Sequence, residues 1–164
     1  KSIGIMKAYA SGVGEGPFAC EYFGEQAERL REAGGEYGDA TGRPRRVGPF
    51  DVVASRYGIR CQGADEIALT KLDVLDGYEE IEICTHYELD GKVLDEFPFT
   101  DVLDYCKPVF EKVKGWNCDI SHCKKPEDLP KEALDYIKLL EKLCGCRIRY
   151  VSVCAERDAC IKMY

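Results

Sequence analysis

Apolar positions along this 164-residue chain recur at two spacings, near two and near 3.6 residues, and the alternation outlines strands interleaved with helices. Residues 2–10, with Ile3, Ile5, Ala8 and Tyr9, predict a strand, and the glycine-rich turn SGVGEGPF follows. Residues 24–33, GEQAERLREA, predict a short amphipathic helix stopped by Gly34 and Gly35. Residues 51–61 place apolar side chains at 52, 53, 57 and 59, a helix with one buried stripe and Asp51 as its cap. EIALT, 66–70, predicts a strand that runs straight into KLDVLDG. Residues 79–97 predict a hairpin about Asp90-Gly91, a dipeptide that favours the tight turn between β-rich runs. A short helix over 101–107 and a short strand in PVFEKVKGW come next. The spacing of Ala133, Tyr136, Ile137, Leu140 and Leu143 predicts a helix over 128–143, framed by Pro130 and Gly145. RIRYVSV, 147–153, is the last predicted strand. The expectation is a mixed α/β (α+β) fold, helices packed on a mixed sheet with a β-hairpin.

Composition narrows the partners. Apolar residues make up 45% and charged residues 32%, ordinary for a globular chain. A formal net charge of −7 argues against a general nucleic-acid or membrane-surface binder. No apolar run reaches the length of a transmembrane span, and no signal peptide is visible, so a cytoplasmic location is expected. The chain opens on Lys1 directly before a strand, which suggests a start inside something longer. Ten cysteines raise the possibility of a disulfide framework. They are scattered through strand-like and helical segments, and Cys61, Cys84, Cys106, Cys144 and Cys154 occupy apolar positions. Cys84 and Cys144 in particular read as small buried hydrophobes in a reducing compartment. Cys118, His122 and Cys123, or Cys144 and Cys146, lack the usual spacing of a zinc site.

Chemistry concentrates in EYGDATGRPRRVGPFD, residues 36–51. Gly38 and Gly42 loosen the backbone and Pro44 restricts it, around Arg43, Arg45 and Arg46. Three guanidinium groups on one short loop form a fork-rich site for carboxylate or phosphate oxygens. Thr70-Lys71-Leu72-Asp73 has the form [NT]-K-x-D at the end of a predicted strand, where open α/β sheets bind ligands. Guanine offers its N1–H and 2-amino group as adjacent donors, and an ionised carboxylate accepts both. Adenine offers no such pair and leaves the carboxylate unsatisfied. The turn Ser152-Val153-Cys154-Ala155-Glu156 after the last strand could present backbone N–H groups or a hydroxyl to the rim of a base. The glycine turn is not a phosphate loop, because no G-K-[ST] closes it.

Taken together, the GVGEGPF turn, EYGDATGRPRRVGPFD, ALTKLDVLDG, Gly115-Trp116, ALDYIKLLEKL and YVSVCAERD resemble the C-terminal part of the adenylosuccinate synthetase family, in the family's order and over the whole of 1–164. That resemblance implies a ligase of purine biosynthesis that joins IMP to L-aspartate with hydrolysis of GTP to GDP and phosphate. It also implies Mg2+ and a homodimeric parent. It assigns Asp39, Ala40, Thr41, Gly42, Arg43, Pro44 and Arg45 to the aspartate loop, and Val13 and Arg43 to IMP. Arg45, Lys71, Leu72, Asp73, Ser152, Val153 and Cys154 fall to GTP, with Asp73 reading the base.

Two departures stand out. The family loop reads A-T-T-G-R, where this chain has Asp39-Ala40-Thr41-Gly42-Arg43. The family's S-T-G-P-D is here Ser152-Val153-Cys154-Ala155-Glu156. The family's G-D-E-G-K-G phosphate loop, with its catalytic Asp and its magnesium, does not occur in these residues, and neither His86 nor His122 matches the family's catalytic histidine. No catalytic or metal-binding residue is therefore expected here, and the isolated chain is expected to be inactive. The alternative is a stand-alone module that binds guanine nucleotide or dicarboxylate without catalysis.

Overall fold

A computed structural model describes residues 1–164. Its main sheet has the order β1-β5-β9-β10. Strands β1 (Ile3–Lys7), β5 (Glu66–Thr70) and β9 (Arg147–Ser152) run parallel, and β10 (Cys160–Lys162) closes one edge antiparallel to β9. Parallel neighbours need crossovers, which carry the helices. Helices α1 (Gly24–Gly34) and α2 (Val52–Gln62) lie between β1 and β5, and α4 (Lys131–Cys144) lies between β5 and β9. The C-terminal ends of β5 and β9 lie side by side, with Leu69 opposite Val151.

A second sheet is built on β6 (Glu80–Leu89). Strand β8 (Lys107–Lys114) pairs antiparallel along almost its whole length, and the opposite edge is shared by β4 (Phe50–Asp51) and β7 (Lys92–Leu94). The hairpin turn at Asp90-Gly91 has φ of 51° and 74°, the paired left-handed geometry that matches strand twist. A third, two-stranded ribbon pairs β2 (Ala10–Gly12) with β3 (Arg46–Gly48), Ser11 opposite Val47. This ribbon brings the glycine turn against the arginine loop.

The core follows the helical stripes. In α4, Ala133, Tyr136, Ile137, Leu140 and Cys144 are buried and join Leu69, Ile148, Val151 and Trp116 in one cluster. Trp116 packs at 5.8 Å from the Tyr136 ring and donates its indole N–H to Asp76 Oδ1 at 2.6 Å. Asp76 Oδ2 accepts from the Ile120 N–H at 3.1 Å, so the buried polar groups here are paired. Gly115 must lack a side chain, because a Cβ there would run into the Tyr78 carbonyl. A smaller cluster gathers Cys20, Val53, Cys84, Tyr87, Leu103 and Cys106.

The expected helices and strands form, with Asp51 capping α2 by accepting the Ala54 N–H at 3.0 Å. Three boundaries differ. The strand expected over 2–10 breaks into β1 and β2, and Ile3 and Ile5 are exposed on one face of β1 while Gly4 between them is buried on the other. The helix expected over 128–143 begins only at Lys131, because Pro126–Asp128 forms a separate 3-10 turn before Pro130. The helix expected over 101–107 is the single turn α3 (Thr100–Leu103), and β8 begins at Lys107. Strands β3, β4 and β10 carry no period of their own at two or three residues, so pattern reading passes over them. Cys84, Cys106 and Cys144 are buried, whereas Cys61 is exposed and Cys154 is half-buried.

Candidate functional site

The first group of predicted residues collects where β5 and β9 end. Thr70 closes β5, and Lys71 turns the chain sharply with φ of 60°, unusual for a residue with a Cβ. Its N–H donates to Ser152 Oγ at 3.0 Å, which ties the T-K-L-D turn to the turn after β9. The residues Leu72–Leu75 form a 3-10 turn that carries Asp73. One oxygen of Asp73, Oδ1, is buried and has no hydrogen-bond partner. Burial raises the Asp73 carboxyl above the usual aspartate value, only partly offset by a backbone hydrogen bond and by Lys71. An unpaired buried carboxylate oxygen is costly unless a ligand satisfies it. A pair of adjacent donors takes one carboxylate oxygen each, so Oδ1 would serve one of the two. Leu72 and Val153 are fully buried in the core, and the Val153 N–H already donates to the Ala159 carbonyl at 3.0 Å. Any contribution of those two residues is therefore one of framing. Cys154 is half-buried at the rim.

The second group is the arginine loop. Gly38 N–H bonds the Arg43 carbonyl at 2.8 Å and Gly42 N–H bonds the Gly38 carbonyl at 2.7 Å, which closes residues 38–43 into a compact lobe. Thr41 Oγ1 accepts the Arg43 N–H at 3.3 Å. Val13, Thr41, Arg43, Pro44 and Arg45 line one concavity of roughly 170 Å³ with Gly12, Gly14, Gly38 and Arg46. Val13 is 80% exposed there, a large apolar side chain on the wall it shares with the arginines. Asp39, Ala40 and Gly42 lie on the exposed outside of the lobe and do not line the concavity.

The three arginines do not act as one set. The Arg46 guanidinium is consumed internally: it bonds Glu21 Oε2 through Nε at 2.8 Å and Nη2 at 2.6 Å, and also reaches the Gly14 and Gly16 carbonyls. It clamps the glycine turn instead of facing a ligand. Arg45 is half committed, with Nη1 at 2.9 Å from Glu36 Oε2. Arg43 is exposed and its guanidinium makes no hydrogen bond or ion pair, so its full fork is free for an anion.

Glu36 is the residue that pattern reading missed. Its side chain is fully buried and pairs with Lys7, Tyr9 and Arg45. The available signal was a lone carboxylate opening an arginine-rich loop. No group of three or more His, Cys, Asp or Glu gathers to hold a metal ion. Cys118 and His122 are exposed, while Cys123 is buried with its thiol on the Asp128 carbonyl at 3.2 Å. No helix is long and apolar enough to cross a membrane.

The adenylosuccinate synthetase family model matches residues 1–161. The chain is 53% identical over 160 residues to an adenylosuccinate synthetase of Pelobacter propionicus, covering 97% of this chain and 37% of that protein. It is 48% identical to one of Aquifex aeolicus over 157 residues, 95% of this chain and 36% of the relative. The structure of the fully ligated adenylosuccinate synthetase of Plasmodium falciparum superposes with a TM-score of 0.93 at 37% identity, covering 99% of this chain and 39% of that one. The chain thus spans little more than a third of the length of these relatives. These matches do not bear out the C-terminal placement expected from the motifs. They do establish the fold and the kinship: the chain belongs to the adenylosuccinate synthetase family.

Proposed function

We propose that this chain supplies the guanine-reading and dicarboxylate-gripping part of a GTP-dependent ligase that joins IMP and L-aspartate. The observation that carries the reading is the buried, unpartnered Oδ1 of Asp73 at the joined ends of β5 and β9. Asp73 accepts the paired donors of guanine, while the Lys71 stem and the Ser152–Cys154 turn frame the base. Arg43 pairs bidentately with a carboxylate of L-aspartate and reaches the ribose of IMP beside Val13. Arg45, steadied by Glu36, lies between the dicarboxylate and the GTP phosphates. Thr41, which lines the same concavity, completes the grip. GTP hydrolysis to GDP and phosphate drives the ligation in the whole enzyme, a cytoplasmic homodimer in this reading. Mg2+ would neutralise phosphate charge there, and its ligands are not placed on this chain.

The test is titration of the protein with GDP and with ADP, in wild type and in Asp73→Asn. Wild type should prefer GDP, and the amide, which presents a donor to a donor, should reduce that preference by about 100-fold, the cost of leaving buried polar groups unpaired. Equal binding of the two nucleotides by the wild type would remove the guanine reading. The isolated 164-residue chain should form no adenylosuccinate from IMP, L-aspartate and GTP; measurable product would overturn that part.

A further inference from the structure

One buried charge belongs to neither predicted group and touches both. Glu36 follows the left-handed end of α1 and has a side chain with no exposed surface. Its Oε1 accepts from Lys7 Nζ at 2.7 Å and Tyr9 Oη at 2.5 Å, and lies 3.5 Å from Lys71 Nζ. Its Oε2 accepts from Arg45 Nη1 at 2.9 Å, and its carbonyl accepts the Arg45 N–H, also at 2.9 Å. Lys71 Nζ is held on its other side by the Gly34 carbonyl at 2.5 Å. Gly34 is bare for the same reason, since a Cβ there would strike Tyr9 Oη and press to 3.1 Å on Glu36 Cγ. Burying a carboxylate is unfavourable without such partners, and here three cations and a hydroxyl surround it. Burial pushes the carboxyl upward, but the hydrogen bonds from Lys7, Tyr9 and Arg45 outweigh it and bring the group down to about 2.

We infer that Glu36 is a positioning residue that fixes Arg45 of the loop and Lys71 of the base-reading turn to one common anchor, so that the two halves of the site are ordered together. Lys71 and Arg45 sit on separate connections, one after β5 and one before β3, and share no backbone pairing. Their shared contact is the two oxygens of one carboxylate, with Lys7 and Tyr9 tying that carboxylate to the end of β1. A carboxylate that bonds different cations through each oxygen holds their separation as well as their orientation. Disturbing it should therefore shift affinity for the base-bearing ligand and for the dicarboxylate in parallel. The inference rests on the reading of Asp73 and Arg43 proposed above.

The experiment measures Kd for GDP and for L-aspartate by calorimetry in the protein as its gene encodes it. The variants are Glu36→Gln, Lys71→Met, their combination, Tyr9→Phe and Asp73→Asn. Glu36→Gln removes the charge and keeps the shape. It should weaken both ligands by about tenfold, and it should add less than twofold to the GDP loss already caused by Lys71→Met, because the two residues act through one contact. Additive losses in the combined variant, or loss of one ligand alone, would overturn the inference by making Glu36 a general support of the fold. If Glu36→Gln does not fold, Tyr9→Phe takes its place. It removes one donor to Oε1, keeps the charge, and should weaken both ligands together by two- to threefold. No change, or a change in one ligand only, overturns the inference. Failure of the underlying reading has a different signature: wild type would not distinguish GDP from ADP, and Asp73→Asn would change nothing.

Discussion

At the scale of single residues, the contrast between Arg43 and Arg46 carries the most information. Three neighbouring arginines look alike in sequence, yet Glu21 and two carbonyls claim Arg46, Glu36 claims half of Arg45, and Arg43 is free. Arg43→Leu should weaken L-aspartate binding by 10-fold or more and leave the unfolding midpoint in urea unchanged. Arg46→Leu should do the reverse, costing about 2 kcal/mol in a urea melt, the scale of a lost charge-assisted hydrogen bond. Asp73 yields a pH prediction. Burial raises its carboxyl in the free protein, and guanine donors require the ionised form, so ligand binding must expel any proton held there. GDP affinity should therefore fall as pH drops through the raised carboxyl range, with proton release measurable as a buffer-dependent heat; Asp73→Asn should abolish both.

At the scale of elements, the helices owe their existence to a single apolar stripe and the site owes its position to strand ends. Leu140 on α4 is fully buried beneath the parallel strands. Leu140→Ala should cost about 2–5 kcal/mol in denaturant unfolding, from lost burial and the cavity left behind. Much of this level was legible in advance. The 3.6-residue period of α4, the Asp51 cap and the Asp90-Gly91 turn each follow from local chemistry that needs no distant partner. Strands β3, β4 and β10 were not legible, because two- and three-residue strands exist only through the partner that pairs with them. The exposure of Ile3 and Ile5 was hidden for a similar reason: an apolar run states that a strand forms, and only what packs on the sheet decides which of its faces is covered.

At the scale of the whole molecule, the buried Glu36 cluster couples stability to pH. The folded carboxyl lies near 2, below its ordinary 4.5, so the folded state binds fewer protons than the unfolded chain between those values. The stabilisation is complete above about 4.5 and is lost as pH falls toward 2. Urea midpoints should decline across that window, and Glu36→Gln should flatten its share of the decline while lowering stability at neutral pH. The sequence by itself determined the residue types on which recognition depends: a carboxylate after a strand, a glycine- and proline-framed arginine loop, and amphipathic helices to pack on a mixed sheet. These are local statements, written in spacing and side-chain chemistry. Only the tertiary structure decided which of those groups are free. It joined Lys71 to Ser152 across neighbouring strand ends, brought Val13 and Arg43 to one concavity, turned Arg46 into a clamp and left one oxygen of Asp73 unsatisfied. The physical reason is that a charged side chain acts through what its neighbours leave unpaired, and those neighbours are distant in the chain and close only after folding.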